Sequence, residues 1–257
     1  MAGKTHQALV TEQFGPRADA YLTSAVHAEG EDLTAIAAMV RGHPRARVLD
    51  LGSGAGHVSF AVAPHVAEVI AFDLSAAMLA VVARAAAERG LGNIATSRGA
   101  AESLPFADGE FDFVFSRFSA HHWHDVRQGV REAARVLKPG GRGAFIDIAA
   151  PPSAVLDTFL QAVELLRDTS HVRDYTRAEW EDAVRGAGFA LDGRREHRMH
   201  LDFATWVERM RTPAVQVQAI RALQAAVSDE ARSHFAIAPD GSFMLDVLML
   251  ELSRQSG

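Results

Sequence analysis

The sequence predicts an α/β fold built on a doubly wound, mostly parallel sheet, and two observations carry that prediction. The first is Val48-Leu49-Asp50-Leu51-Gly52-Ser53-Gly54-Ala55-Gly56-His57, an apolar strand that ends in an acid, breaks into a glycine loop and opens a helix. Alternating glycines remove β-carbons where the strand hands over to the helix, which permits positive φ and lets a ligand lie against bare backbone. The second is a regular alternation, from residue 48 to residue 148, of short apolar runs with stretches of helical periodicity, the pattern of successive βαβ units.

The global figures agree. The chain of 257 residues suits one domain, read here as an N-terminal helical cover (1–45), a core (46–150) and a second set of helices with the final strands (151–257). A hydrophobic content of 48% can fill a core, and a net charge of −6 offers no basic stripe for nucleic acid. The chain contains no cysteine, which excludes disulfides and thiol chemistry. No apolar run reaches membrane-spanning length and the polar start is unlike a signal peptide, so a cytoplasmic protein acting on small molecules is expected.

The elements follow in order. The first 45 residues read as helical, broken at Gly15-Pro16, with a helix from Glu31 to Arg41 ended by Pro44. Val58 to Ala63 open the helix after the glycine loop. Glu68 to Phe72 form the second strand, and Asp73 follows at its tip. Ser75 is the expected N-cap of a helix from Ala76 to Arg89. Ile94–Arg98 and Phe111–Ser116 are strands three and four. Val126, Val130, Ala133, Ala134 and Leu137 mark an amphipathic helix, and Lys138–Gly143 a tight turn into a fifth strand, Ala144–Ile148. Beyond it, Val155, Phe159, Val163 and Leu166 share a helix face. Thr176 and Glu179 form a capping-box signature, and that helix ends near Gly186–Gly188. Phe189 begins strand six, residues 206–227 suggest two helices, and Asp240-Gly241 turns into a last strand, Phe243–Leu250.

Ligand choice turns on spacing. A dinucleotide loop reads G-x-G-x-x-G, whereas here the glycines fall at Gly52, Gly54 and Gly56 with Asp50 two positions ahead. This D-x-G-x-G-x-G pattern resembles the S-adenosylmethionine loop of class I methyltransferases. Asp73, nineteen positions past Gly54, carries the two acceptor oxygens that match a ribose diol. Gly99-Ala100-Ala101-Glu102-Ser103-Leu104-Pro105-Phe106 is similar to the G-x-A-E-x-L-P-F stretch of quinone-biosynthesis methyltransferases, which often carry Asp where Ala100 stands. Leu137-Lys138-Pro139-Gly140-Gly141 resembles a further family marker.

The chain therefore resembles the ubiquinone/menaquinone-type methyltransferases. The resemblance implies a Rossmann-like sheet of seven strands, the last antiparallel, with an inserted helical cap, and S-adenosylmethionine as cofactor. On the family's pattern Asp50 serves the ammonium group of the methionine end. Gly52, Ser53, Gly54, Gly56, Asp73, Leu74, Met78, Ala100, Ala101, Glu102, Ser116 and Arg117 complete the cofactor contacts, and Phe14 and Tyr21 lie over the mouth. Residues 116–125 and 166–175 look like stretches of uncharacterised bacterial relatives.

For the acceptor side, His121, His122 and His171 are the candidate bases, since a hydroxyl or activated carbon needs a proton acceptor working near neutral pH. Phe14, Arg173 and Tyr175 are candidate acceptor contacts, and Arg117 or Arg173 could bind an acidic group. Histidines with Asp125 show no fixed metal spacing, so no metal is expected. Whether O, N or C is methylated stays open, as does a monomer or homodimer. The rival readings are a nicotinamide oxidoreductase, which lacks its glycine spacing here, and a protein that binds the cofactor without turnover.

Overall fold

The computed structural model describes residues 5–14, 22 and 30–255. Helices α1 (His6–Phe14) and α2 (Glu31–Val40) precede β1 (Arg47–Leu51), and α3 (His57–Val62) runs into a short 3₁₀ turn, Ala63–His65. There follow β2 (Glu68–Asp73), α4 (Ala76–Glu88), β3 (Ile94–Arg98), β4 (Phe111–Arg117), a 3₁₀ turn at Ala120–His122, and α5 (Val126–Val136). The chain continues through β5 (Leu137–Ala150), α6 (Ala154–Arg167), β6 (Tyr175–Thr176), α7 (Arg177–Gly186) and β7 (Phe189–Leu201). Helices α8 (Phe203–Arg209), α9 (Ala214–Ala226) and α10 (Asp229–His234) lead to β8 (Phe243–Arg254).

The main sheet runs in the order β3-β2-β1-β4-β5-β8-β7. Strands β1 to β5 pair in parallel, and β8 is antiparallel to both of its neighbours. This is the seven-stranded, doubly wound arrangement with a reversed last strand that the sequence led us to expect. The two-residue β6 adds a parallel contact to the end of β5, at Ala149 and Ala150.

Period-two alternation explains why both faces are covered. In β8, Phe243, Leu245, Val247 and Met249 join one core with α2, α6 and the α8–α10 helices. Leu248, Leu250 and Leu252 join the other, with α5 and α7. β1 divides likewise, with Val48 on the first face and Leu49 and Leu51 on the second.

Two expectations need correction. The segment Lys138–Gly143 belongs to β5 instead of forming a free turn: pairing with β4 slips between Phe111 and Phe113, so the extra residues are absorbed as an irregularity within the ladder. As expected, Phe189 begins the next long strand, β7, which runs thirteen residues because it pairs along nearly the whole of β8. The region after it holds three helices, the third capped by Ser228, whose side chain accepts from Ala231 N–H. Both predicted caps stand: Ser75 accepts from Met78 N–H, and Thr176 and Glu179 form the capping box.

Gly143 shows how tightly β5 lies on β4, since a Cβ there would sit 2.5 Å from the Val114 carbonyl oxygen. Gly143→Ala is expected to destabilise the fold by about 2 kcal/mol, as overpacking against backbone does. A denaturation midpoint unchanged from wild type would show that β5 can shift freely.

Candidate functional site

The carboxyl ends of β1, β2 and β4 form the floor of a cleft of about 1070 Å³, counting the part open to solvent. β1 ends between its two neighbours, and its chain must then leave the sheet. Gly52 and Ser53 each donate their N–H to the Phe72 carbonyl, at 2.8 and 2.9 Å, and Gly54 N–H donates to Asp73 Oδ2 at 2.9 Å. The three consecutive loop amides are thus all held by the end of β2. Gly52, Gly54 and Gly56 have φ of 72°, 50° and 89°, a region costly for other residues. Gly56 lies off the cleft wall; a Cβ there would press on Val82 and Phe60, at 2.9 and 3.0 Å, so it serves the packing of α3 on α4.

Asp50 is almost wholly buried, and its Oδ2 accepts both the N–H and the hydroxyl of Ser59, at 2.9 and 2.6 Å. Burial pushes its carboxyl up to about 7 despite those bonds. Asp73 uses Oδ2 for Gly54 and Oδ1 for Ser75 N–H, at 2.8 Å, and burial raises it too. Each of its oxygens retains a further lone pair, which fits a ligand with paired hydroxyl donors. Leu74, Met78, Ala100, Ala101 and Glu102 also line the cleft, together with His6, Val10 and Phe14 from α1. Tyr21 lies outside the described residues.

Two expected cofactor contacts are placed differently. Ser116 is buried off the cleft wall, its Oγ unpartnered among the described residues. Arg117 does line the cleft, but its Nε donates to Asp32 Oδ2 at 2.5 Å and its Nη2 to Asp32 Oδ1 at 3.3 Å. Both side chains are 5% exposed, so α2 is tied to the end of β4 by a buried ion pair. The next residue, Phe118, sits at φ 51°, an uncommon conformation for a bulky side chain and one found at functional turns.

A second cavity of about 590 Å³, again counting the part open to solvent, adjoins the first, and Phe14, Phe118 and His122 line both. Its wall combines charged side chains (His121, Glu164, Arg167, Asp168, Asp174, Arg209) with apolar ones (Ile148, Met199, Leu201, Trp206, Leu245). The stretches 116–125 and 166–175 meet here. Val172 and Arg173 N–H groups donate to the His121 carbonyl, and His122 Nδ1 lies 3.1 Å from the Ser170 carbonyl oxygen. A carbonyl only accepts, so Nδ1 carries the hydrogen and Nε2 keeps its lone pair. Phe14 meets the His122 ring edge-on at 4.9 Å.

The three histidines differ sharply. Burial alone would lower His121, but Asp147, at 2.5 Å from Nδ1, outweighs it and drives the ring up to about 9. Burial and the His121 charge push His122 down to about 4. Burial and both neighbouring histidines push His171 to about 2. His171 lines neither cavity and faces Gln161 Oε1 at 3.0 Å, so its place as a candidate base is withdrawn.

Arg173 and Tyr175 are also withdrawn from the acceptor site. Arg173 pairs with Asp157 at 2.9 Å, and Tyr175 packs edge-on to Trp180 at 6.0 Å; neither lines a cavity. Asp125 caps α5 by accepting from Gln128 N–H at 3.0 Å. The residues that sequence reading passed over are Asp32, Asp147, Glu164, Asp168 and Asp174. The readable signal was an acid inside an otherwise apolar run, as with Asp147 in Phe145-Ile146-Asp147-Ile148 and Glu164 beside Val163 and Leu165.

Residues 49–145 match the methyltransferase domain family. Over 224 residues the chain is 39% identical to the uncharacterized methyltransferase YcgJ of Bacillus subtilis, covering 87% of this chain and 88% of that one. The crystal structure of YcgJ superposes with a TM-score of 0.84, at 36% identity, over 88% of this chain and 99% of that chain. The uncharacterized protein YafE of Escherichia coli is 50% identical over 76% of this chain and 95% of its own length. A demethylmenaquinone methyltransferase of Chlorobaculum parvum is 36% identical over 46% of this chain and 47% of its own. The chain belongs to the class I S-adenosylmethionine-dependent methyltransferases and is an enzyme of that class, with S-adenosylmethionine as its cofactor. No helix among the described residues is long and apolar enough to cross a membrane.

The raised Asp50 carboxyl has a thermodynamic consequence. The native state holds that proton up to about pH 7, whereas an unfolded aspartate releases it near 3.8. Stability of the unliganded protein is therefore lost, through this residue, as pH rises from about 4 to about 7. Asp50→Asn is expected to melt progressively higher than wild type across that range, the difference levelling off above it. Equal melting temperatures at pH 5 and pH 8 would contradict the burial cost.

Proposed function

We propose that the enzyme transfers the cofactor's methyl group to a small-molecule acceptor held in the second cavity, with His122 as the base that receives the acceptor's proton. The observation that carries this reading is the position of His122, which lines both cavities with its Nε2 lone pair left available by the Nδ1 bond to Ser170. Most of the acceptor cavity wall, from the end of β5, α6, the 168–174 loop, β7, α8 and β8, lies beyond the family match that ends at residue 145, while Phe118, His121 and His122 fall within that match. The quinone acceptor named for the demethylmenaquinone enzyme is therefore not carried over. A wall that combines charged and apolar side chains suits a compact amphipathic acceptor.

In the cofactor cleft, Asp73 would hold the ribose diol through its remaining lone pairs, and the amides of Gly52–Gly54 would keep the loop open against the ligand. Asp50 would face the methionine ammonium, a cation that offsets the cost of its buried charge. Gly54 fits this role, since a Cβ there would meet no protein atom within 4 Å yet the backbone needs positive φ. Arg117, already clamped by Asp32, would hold α2 against the cleft and leave the cofactor carboxylate to other donors. When bound, the cofactor supplies a sulfonium-activated methyl group, so the protein's task is to align the acceptor and exclude water. Phe14 and Phe118, shared by both cavities, supply the apolar collar at that junction.

Asp73→Ala is expected to weaken S-adenosylmethionine binding by about 1.5–3 kcal/mol, measured by calorimetry. His122→Gln should retain cofactor affinity while turnover on an identified acceptor falls by about a hundredfold or more. Turnover unchanged in His122→Gln would remove that residue as the base, and unchanged affinity in Asp73→Ala would remove the ribose contact. Radiolabelled methyl transfer to a panel of hydroxyl, amine and activated-carbon acceptors distinguishes the open nucleophile classes.

A further inference from the structure

We propose that His121, Asp147 and Asp174 form a binding site for one divalent transition-metal ion in the wall of the acceptor cavity. That the ion binds is independent of the acceptor reading above; what it does there rests on that reading. Each residue offers one ligand atom, and the three atoms lie within 4.8 Å of one another. They come from separate elements: the 3₁₀ turn after β4, the C-terminal part of β5, and the loop that leads into β6. Convergence of one imidazole and two carboxylates from three elements is a donor set that borderline ions such as Zn²⁺ and Mn²⁺ accept.

The second observation concerns Asp174 alone. Its side chain is 1% exposed, yet Oδ2 has no hydrogen-bond partner among the described residues. The His171 Nε2 atom is 3.8 Å away, beyond hydrogen-bond reach. A buried carboxylate oxygen without a donor is costly and rare in native proteins, and a cation at this point removes the cost. Asp174 also lines the second cavity, as His121 does, so the ion would have an open side toward the acceptor. Three protein ligands with an open position is the arrangement of catalytic metal sites; structural sites are closed.

The surroundings hold the ligands as metal sites require. Asp147 is oriented by the Ile148 N–H on Oδ1 and the His121 N–H on Oδ2, at 2.9 and 3.2 Å. The main chain of Asp174 is gripped by Gln161, which donates Nε2–H to its carbonyl and accepts its N–H, at 2.8 and 3.1 Å. His121 Nδ1 and Asp147 Oδ1 lie 2.5 Å apart and share a hydrogen, and ligation of the ion would release that hydrogen to solvent as a proton. The histidine–Asp125 grouping considered from the sequence is not this site. Next to the cavity, the ion would act as a Lewis acid on an acceptor oxygen and favour its deprotonated form.

The test uses the full chain, stripped with a chelator, dialysed, and titrated by calorimetry with Zn²⁺ and separately with Mn²⁺. Metal content is read by mass spectrometry. One ion per chain is expected, with affinity reduced about tenfold or more in Asp174→Asn and in Asp147→Asn. S-adenosylmethionine affinity should stay at the wild-type value in Asp174→Asn, and the metal-free variant should melt no lower than metal-free wild type, which separates ligation from folding. Should Asp174→Asn fail to fold, loading with Co²⁺ gives a second readout: visible absorption bands in wild type that are lost in His121→Gln. Absence of a stoichiometric ion overturns the proposal, as does binding undiminished in the variants. Loss of methyl transfer with metal binding intact counts against the acceptor reading and leaves the metal site standing.

Discussion

The structure depends on the grip of β2 on the loop that leaves β1. Three consecutive amides, of Gly52, Ser53 and Gly54, would otherwise be unsatisfied where the strand abandons its ladder, and the Phe72 carbonyl and the Asp73 carboxylate take all three. The loop can then run in left-handed conformations without losing hydrogen bonds. Asp50, two positions earlier, ties the same loop forward by holding Ser59 in α3. The cleft floor is therefore a hydrogen-bonded frame before any ligand arrives, with two buried carboxyl groups whose charged forms are costly without one.

The acceptor end uses charge differently. A proton sits on His121 because Asp147 holds it there, while burial first, and that charge second, keep His122 and His171 neutral. Burial and one positive ring thus act together on two others within a single cluster. Acids from α6 and the following loop, Glu164, Asp168 and Asp174, close around it. Such a cluster is stable only where most members are paired, as Asp168 is with Ser170 and Glu164 with Arg167. Asp174 is the member left over, and it faces the cavity.

Much of the cofactor side was legible along the chain because its residues are local. Strand, glycine loop and helix follow within about ten positions, and Asp73 lies at a spacing set by one βαβ crossover. Short-range periodicity and capping chemistry report such features directly, as at Ser75 and Thr176. The histidines were legible as candidates but not as a ranking: His121 and His122 are adjacent in sequence, yet one is driven up and the other down. Arg173 was misplaced because a charged residue next to the cluster in sequence points to Asp157 and away from the cavity.

The sequence by itself determined the doubly wound sheet, its reversed last strand, the cofactor loop and the class of enzyme, because each is written in contiguous patterns of apolarity, glycine and acid. Only the tertiary structure decided which histidine stands between the two cavities, that Asp32 rises to clamp Arg117, and that Asp147 and Asp174 meet His121. Those contacts span roughly 26 to 85 positions. Contacts over such separations depend on where the sheet and cap bring distant backbone together. Proton affinities then follow from burial and neighbouring charge, which no local spacing encodes.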